Sequence, residues 1–153
     1  MAIPNILPID TREATLEVAG GKGRSLAEMV NAGLDVPGGF YVTTAAYRQY
    51  VSDNDLQSKI IELAKPEIGE WNLSFDKASE AIQALFAEEK IASAMAQEIT
   101  EAYAGVAGDN PAVAVRSSAN AEDLPDMSFA GQQDTYLNVR GGEEIVTAVR
   151  HCW

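Results

Sequence analysis

The chain has 153 residues, 46% of them hydrophobic and 7% aromatic, which is typical of a globular domain with its own core. Its net charge of −12 argues against a nucleic-acid surface, because phosphate backbones require clustered Lys and Arg. No apolar run reaches the roughly 18–20 residues of a membrane span, and residues 1–10 lack the charged and apolar regions of a signal peptide. We therefore predict a cytoplasmic protein with neither a nucleic-acid nor a membrane partner.

The first part of the chain is predicted to be an extended segment, a turn and a helix. Residues 3–9 are apolar but contain two prolines, which suits an edge strand. Residues 18–33 begin as a glycine-rich turn and continue with apolar residues at the spacing of one helix face. Gly33 stands where a C-terminal cap is expected.

The glycine-rich turn allows two interpretations. A turn that opens a helix exposes backbone N–H groups at the positive end of the helix dipole, and Lys22 adds a full charge, so phosphate binding is one hypothesis. The order Gly-Gly-Lys-Gly over residues 20–23 fits neither the P-loop spacing nor the dinucleotide fingerprint. The other interpretation is that the glycines only turn the chain and that Lys22 is solvated.

The helical middle covers residues 44–105, after a turn and a short strand rich in β-formers over residues 36–43. Its apolar stripes are typical of amphipathic packing faces. Tyr47 and Tyr50 lie three residues apart, and we predict that they pack in the core and do not form a base-stacking platform. Twelve Asp and Glu against four Lys between residues 50 and 110 favour a solvated acidic face.

Residues 112–139 are predicted to form a strand, a loop and a second strand. An apolar β-branched run ends abruptly in Arg116, which predicts a buried strand with a cation at its end. The polar loop that follows is broken by Pro125 and closed by Gly131, and residues 134–139 alternate in character as a strand does. A loop held between two strands is a common position for binding groups.

The last predicted helix begins at Glu143 and runs to the end of the chain at Trp153. No capping residue follows it, and a large aromatic residue is an unusual end for a domain. We therefore expect the chain to be part of a longer protein.

Four residues suggest a site for a polyphosphate. Lys22 offers a compact point charge and Arg116 a planar fork of donors, and such a pair suits a polyphosphate held from two sides. Gly131 would let backbone approach a ligand closely, and Thr135 offers a hydroxyl at the start of a strand.

Metal and nucleophile chemistry find little support in the sequence. His151 and Cys152 are the only histidine and cysteine, so a zinc site rich in cysteine, an internal disulfide and a Ser-His or Cys-His nucleophile are all unsupported. Glu122, Asp123 and Asp126 suggest a metal site, but the leucine and proline between them favour a polar turn.

Two long segments resemble the phosphoenolpyruvate synthase and pyruvate phosphate dikinase family, and they cover roughly residues 18–50 and 112–153. The motifs of the first are Gly-Gly-Lys-Gly at 20–23, Leu-Ala-Glu-Met at 26–29, Val-Pro at 36–37, Gly-Phe at 39–40 and Thr-Thr-Ala-Ala-Tyr at 43–47. Those of the second are Val-Arg-Ser-Ser-Ala at 115–119, Ala-Glu-Asp-Leu-Pro at 121–125 and Ser-Phe-Ala-Gly-Gln-Gln-Asp-Thr at 128–135.

The resemblance implies that residues 1–153 are the N-terminal portion of an ATP-grasp nucleotide-binding domain. That is an α/β (α+β) fold, a mixed sheet with packed helices. By similarity, Lys22 and Arg116 would contact ATP phosphates, while Gly131 and Thr135 would line the same nucleotide site.

The resemblance also implies a reaction. In that family ATP phosphorylates a histidine on a separate swivelling domain, which passes the phosphoryl group to pyruvate or a similar acceptor at a third site. The histidine, the carboxylates that bind Mg²⁺ and the acceptor domain would lie beyond Trp153. We therefore assign no catalytic or metal-binding residue to this chain and expect it to be inactive alone.

The subfamily stays open at this point. Arg-Ser-Ser-Ala at 116–119 with Ala-Glu-Asp-Leu-Pro at 121–125 resembles the synthase and rifamycin phosphotransferase branches more than the dikinase proper. Gly23 after Lys22 resembles the rifamycin type. An alternative of another class is a non-enzymatic, acidic helical module that binds a partner through residues 55–105.

Overall fold

The computed structural model describes residues 3–65, 67–68, 73–120 and 135–153, in which helices alternate along the chain with pairs of short strands. In chain order the elements are β1 (Ile6–Pro8), α1 (Leu16–Asn31), β2 (Phe40–Val42), α2 (Thr44–Asp53), α3 (Leu56–Leu63), β3 (Glu67–Ile68), β4 (Leu73–Ser74), α4 (Asp76–Glu88), α5 (Ser93–Ala104), β5 (Val113–Arg116), β6 (Thr135–Val139) and α6 (Gly142–Cys152). The α/β class predicted from the sequence is confirmed. None of these helices is both long and apolar enough to cross a membrane.

The strands of the described ranges form three antiparallel pairs, β1 with β2, β3 with β4 and β5 with β6. The predicted mixed sheet is not found in these ranges. In these ranges β5 hydrogen-bonds only to β6, and its side chains Val113 and Val115 are partly buried against the helical core. This strand is consequently half-buried, whereas its apolar sequence predicted a fully buried one.

The larger core is built from the helical middle and α6. Residues four apart on α5 and on α6 share one face of each helix, and these faces meet. The core residues of least exposure are Ala46, Tyr50, Leu56, Met95, Ile99 and Ile145.

Tyr47 and Tyr50 belong to this core, as predicted. Their ring centroids lie 6.2 and 5.6 Å from that of Phe86. Tyr50 is 1% exposed, and its hydroxyl donates to the Phe86 carbonyl oxygen at 3.0 Å. Burial raises the pKa of Tyr50 above its ordinary value. A ring enclosed in this way is not available to stack on a nucleotide base.

The N-terminal elements form a smaller core around β1 and β2. Its buried members are Leu7, Ala14, Ala19, Ala27 and Tyr41. Helix α1 ends as predicted, with Gly33 in the left-handed region at φ +78°.

Tyr103 joins the chain that enters β5 to the chain that leaves β6, at one end of the β5–β6 pair. Its hydroxyl donates to the Pro111 carbonyl oxygen at 2.7 Å and accepts from the Gly141 N–H at 3.2 Å. It also lies 2.9 Å from Asn110 Oδ1. We call the β5–β6 pair the hairpin. Because Pro111 precedes β5 and Gly141 follows β6, one buried side chain of α5 holds the start of the first strand beside the end of the second.

Replacing Tyr103 by Phe removes this hydroxyl and leaves the Pro111 carbonyl and the Gly141 N–H without their partner. We expect the free energy of unfolding, measured by urea denaturation, to fall by about 1–3 kcal/mol. Tyr47→Phe is the matched control, because the Tyr47 hydroxyl forms no hydrogen bond in the described part of the chain. It should change that free energy by less than about 0.5 kcal/mol. Equal losses in both variants would show that the Tyr103 hydroxyl does not hold the hairpin.

Candidate functional site

Helix α1 is broken by a kink at Gly20. This residue has φ +71° and ψ −179°, a conformation that residues with a Cβ rarely adopt. Its neighbours on both sides are helical, so α1 consists of a short first segment and a longer second one that starts at Gly21. The predicted glycine-rich turn is thus a one-residue break, and it leaves Lys22 in the first turn of the second segment.

The chain just after β5 lies against this kink through four hydrogen bonds. They join the Gly21 N–H to the Ala119 carbonyl oxygen (3.0 Å), the Gly23 N–H to Ser118 Oγ (3.1 Å), the Ser118 hydroxyl to the Ala19 carbonyl oxygen (2.7 Å) and the Lys22 ammonium to the Ser117 carbonyl oxygen (3.1 Å). Two of the sequence motifs singled out above, 95 residues apart, are therefore in direct contact.

Close approach explains the glycines at this contact. A Cβ on Gly20 would lie 2.6 Å from the Ser118 carbonyl carbon, and a Cβ on Gly23 would lie 2.7 Å from the Cβ of Ala19. The N–H groups of Gly21 and Gly23 are occupied by the segment after β5. The hypothesis that these amides face a phosphate is therefore wrong for both, because each already donates a hydrogen bond within the protein. The two glycines instead allow the segments to pack closely.

The kink exchanges two helical hydrogen bonds for tertiary ones. In an uninterrupted helix Gly21 would donate to the Glu17 carbonyl and Gly23 to the Ala19 carbonyl. Here the Glu17 carbonyl oxygen accepts from the Thr44 hydroxyl at 2.9 Å instead. The Ala19 carbonyl oxygen accepts from the Ser118 hydroxyl, so no polar group of these two pairs is left unsatisfied.

Ser118 is the residue of this site that the sequence analysis missed. Its hydroxyl stands between the Gly23 N–H and the Ala19 carbonyl, the donor and acceptor of a helical hydrogen bond. A side chain inserted between such a pair is a recognised cause of helix kinks. The sequence distinguishes Ser118 from Ser117 by no local signal, since the contact depends on how two distant segments meet.

Arg116 and Thr135 lie next to each other across the β5–β6 pair. They are Cα partners in the strand register, and both are exposed. The Lys22 ammonium binds the carbonyl of the residue that directly follows Arg116. The structure therefore brings Lys22, Arg116 and Thr135 to one end of this hairpin, while Gly131 lies outside the described residues.

The glycine-rich segment contains two cations, Lys22 and Arg24, and only Lys22 reaches this end of the hairpin in the described structure. Lys22 is half-buried and anchored by its bond to the Ser117 carbonyl. Arg24 is instead exposed, and its Nε lies 3.3 Å from Glu28 Oε1 on the same helix. The electrostatics of the site thus depend on Lys22 and Arg116.

Tyr41 of β2 packs against the second segment of α1. A Cβ on Gly23 would lie 3.5 Å from the Tyr41 ring, so the ring packs directly under this glycine. The Tyr41 hydroxyl donates to the Ile9 carbonyl oxygen at 3.2 Å, and burial raises the pKa of Tyr41. The N-terminal core is thereby connected to the helix that carries Lys22.

No group of three His, Cys, Asp or Glu side chains in the described ranges could hold a metal ion. Glu122, Asp123 and Asp126 lie outside the described residues.

Comparison with protein families places these features in a known context. Residues 16–153 match the family described as "Pyruvate phosphate dikinase, AMP/ATP-binding domain". The chain belongs to this family. The matched range contains both the kinked helix with Lys22 and the hairpin with Arg116. The family resemblance inferred from the motifs is thereby confirmed, and AMP or ATP is the ligand class of this domain family.

Curated relatives of this domain carry the name phosphoenolpyruvate synthase. The chain is 45% identical over 143 residues to the probable phosphoenolpyruvate synthase of Methanocaldococcus jannaschii, covering 90% of this chain and 12% of that protein. It is 42% identical over 151 residues to the phosphoenolpyruvate synthase of Deinococcus radiodurans, covering 95% and 19%. It is 38% identical over 154 residues to the probable enzyme of Archaeoglobus fulgidus, covering 99% and 20%. The chain thus spans one fifth or less of the length of these relatives.

Replacing Gly20 by Ala should disrupt the contact between the kink and Ser118. Gly33→Ala is the matched control, because Gly33 also has a positive φ, +78°, but a Cβ there would meet nothing within 4 Å. We expect Gly33→Ala to lower the free energy of unfolding by about 1–2 kcal/mol, the cost of the left-handed conformation. Gly20→Ala should cost about 1–3 kcal/mol more, because its ψ of −179° belongs to a region that is essentially restricted to glycine and because a Cβ there would overlap Ser118. Equal losses in urea denaturation would contradict the contact.

Proposed function

We propose that this chain is the N-terminal portion of an ATP-grasp nucleotide-binding domain in a phosphotransferase of the phosphoenolpyruvate synthase type. The observation that carries the proposal is the contact between Lys22 and the residue after Arg116. The Lys22 ammonium binds the backbone next to Arg116. Both residues belong to a domain whose family is described as AMP/ATP-binding.

Four residues form the proposed ATP site. Lys22 and Arg116 contact the phosphates, and Gly131 and Thr135 line the same site. The register supports the place of Thr135, because its Cα partner is Arg116. The phosphate contacts and the part of Gly131 rest on the resemblance of the two motifs to those of the family.

Lys22 and Arg116 suit phosphates for different physical reasons. The ammonium of Lys22 is a compact charge, and its bond to the Ser117 carbonyl limits where it can lie. The exposed guanidinium of Arg116 is a planar fork that can bind two phosphate oxygens at once. Charges already in place when ATP binds neutralise the phosphates and orient them for transfer. Both residues act by electrostatic positioning, and we assign no catalytic residue within this chain.

The proposed reaction passes a phosphoryl group from ATP to a histidine on another domain, which releases the remainder of the nucleotide. The phosphohistidine then passes the group to the enol oxygen of pyruvate, which restores the histidine. The names of the relatives support pyruvate as the acceptor. Their greater length supports the presence of the other domains in the same polypeptide. Magnesium would accompany ATP, and we place its protein ligands outside this chain.

A rifamycin antibiotic is the alternative acceptor, because Gly23 follows Lys22 as in the rifamycin type. The structure gives Gly23 a different reason. A Cβ at this position would lie 2.7 Å from the Cβ of Ala19 and 3.5 Å from the Tyr41 ring. Packing alone accounts for the glycine, so it does not favour rifamycin over pyruvate.

Replacing Arg116 by Ala in the full-length protein tests the proposed site. We expect kcat/KM for phosphoenolpyruvate formation from ATP and pyruvate to fall by roughly 100–1000-fold, as when a preorganised charge partner is removed. The free energy of unfolding should change by less than about 0.5 kcal/mol, because the side chain is exposed. Arg48→Ala, at another exposed arginine, is the matched control and should retain wild-type activity.

Three results would contradict parts of this proposal. Wild-type activity of Arg116→Ala would remove Arg116 from the phosphate site. Phosphorylation of rifampicin in place of pyruvate would change the acceptor. A full-length protein that transfers no phosphoryl group from ATP would overturn the phosphotransferase and favour a non-enzymatic module.

A further inference from the structure

Ser118 joins the two segments of the proposed nucleotide site. We propose that its hydroxyl keeps α1 kinked and thereby places Lys22 beside Arg116, so that both cations reach the same phosphate chain. This inference rests on the proposed function. Ser118 is a positioning residue in this scheme, since it acts through Lys22 and not by touching the nucleotide.

The Ser118 hydroxyl lies between the donor and the acceptor of a helical hydrogen bond that the kink has broken. It accepts from the Gly23 N–H at 3.1 Å and donates to the Ala19 carbonyl oxygen at 2.7 Å. A hydroxyl can accept and donate at the same time, which Ala cannot do at all and Cys does only weakly. Without it, the Gly23 N–H and the Ala19 carbonyl can satisfy each other only by forming the ordinary helical bond between them. Loss of the hydroxyl therefore favours a straight α1.

A straight α1 would separate the two cations. The kink depends on the single residue Gly20, at φ +71° and ψ −179°, so a helical Gly20 reorients everything that follows it. Lys22 lies two residues later, and in the kinked arrangement its ammonium is held at the Ser117 carbonyl at 3.1 Å. Arg116 would stay where the hairpin holds it, so one of the two phosphate contacts would be lost.

Glycine at position 20 allows both conformations, which gives Ser118 its influence. A residue with a Cβ would be strained at the positive φ of the kink, whereas glycine adopts it readily. Glycine also adopts helical angles, so the backbone itself does not lock the kink. The contacts from the segment after β5 decide between the two states, and Ser118 supplies two of the four hydrogen bonds.

The affinity of the full-length protein for ATP relative to AMP tests this inference. ATP carries two more phosphates than AMP. The ratio of the two dissociation constants therefore reports contacts with those phosphates, and effects common to both nucleotides cancel. Isothermal titration of wild type, Ser118→Ala, Ser118→Thr and Ser25→Ala would supply these ratios. Ser118→Thr keeps a hydroxyl, and Ser25→Ala makes the same chemical change at an exposed position of the same helix.

We expect the preference of Ser118→Ala for ATP over AMP to fall about tenfold, the factor expected for one lost charge-assisted hydrogen bond. Ser118→Thr should recover most of that preference, and Ser25→Ala should match wild type. Equal losses of ATP and AMP affinity in Ser118→Ala, or equal losses in the Ala and Thr variants, would overturn the positioning role. Wild-type protein that binds neither nucleotide would overturn the proposed function itself. Wild-type binding with an unchanged ratio in Ser118→Ala would overturn only the inference about Ser118.

Discussion

The exchange of two helical hydrogen bonds for long-range ones at Gly20 is the interaction on which the site depends. Gly21 and Gly23 donate to the segment after β5, while the carbonyls they would have used accept from the hydroxyls of Thr44 and Ser118. These polar groups all keep a partner, so the kink costs little hydrogen bonding. The kink also holds Lys22 at the end of the distant β5–β6 hairpin.

The remainder of the fold holds the two sides of this contact in place. On one side, Tyr41 packs under Gly23 and connects α1 to the N-terminal core. On the other, Tyr103 of α5 holds the start of β5 and the end of β6 together, at the end of the hairpin opposite Arg116. Charges that are positioned before the ligand arrives need not reorganise when it binds, which is the basis of electrostatic preorganisation. The helical middle thus contributes to the proposed function through stability.

Local features were predictable from the sequence and long-range ones were not. The faces of α5 and α6 follow from apolar spacing, and residue chemistry with motif resemblance singled out Lys22 and Arg116. The kink was mistaken for a turn because a positive φ at one glycine inside a helix leaves no local pattern. Ser118 was missed because its role depends on contact with residues 95 and 99 positions away. The mixed sheet was expected from the family resemblance, whereas in the described ranges β5 pairs only with β6 and buries its valines against helices.

A crystal structure of the full-length protein with a non-hydrolysable ATP analogue tests the central claim most directly. The claim is that the contact between the kink and the end of β5 places two cations on one phosphate chain. We expect phosphate oxygens within about 2.7–3.2 Å of both Lys22 Nζ and the Arg116 guanidinium, with Gly20 still at a positive φ. A bound analogue whose phosphates contact neither cation, or contact them while α1 is straight, would contradict it.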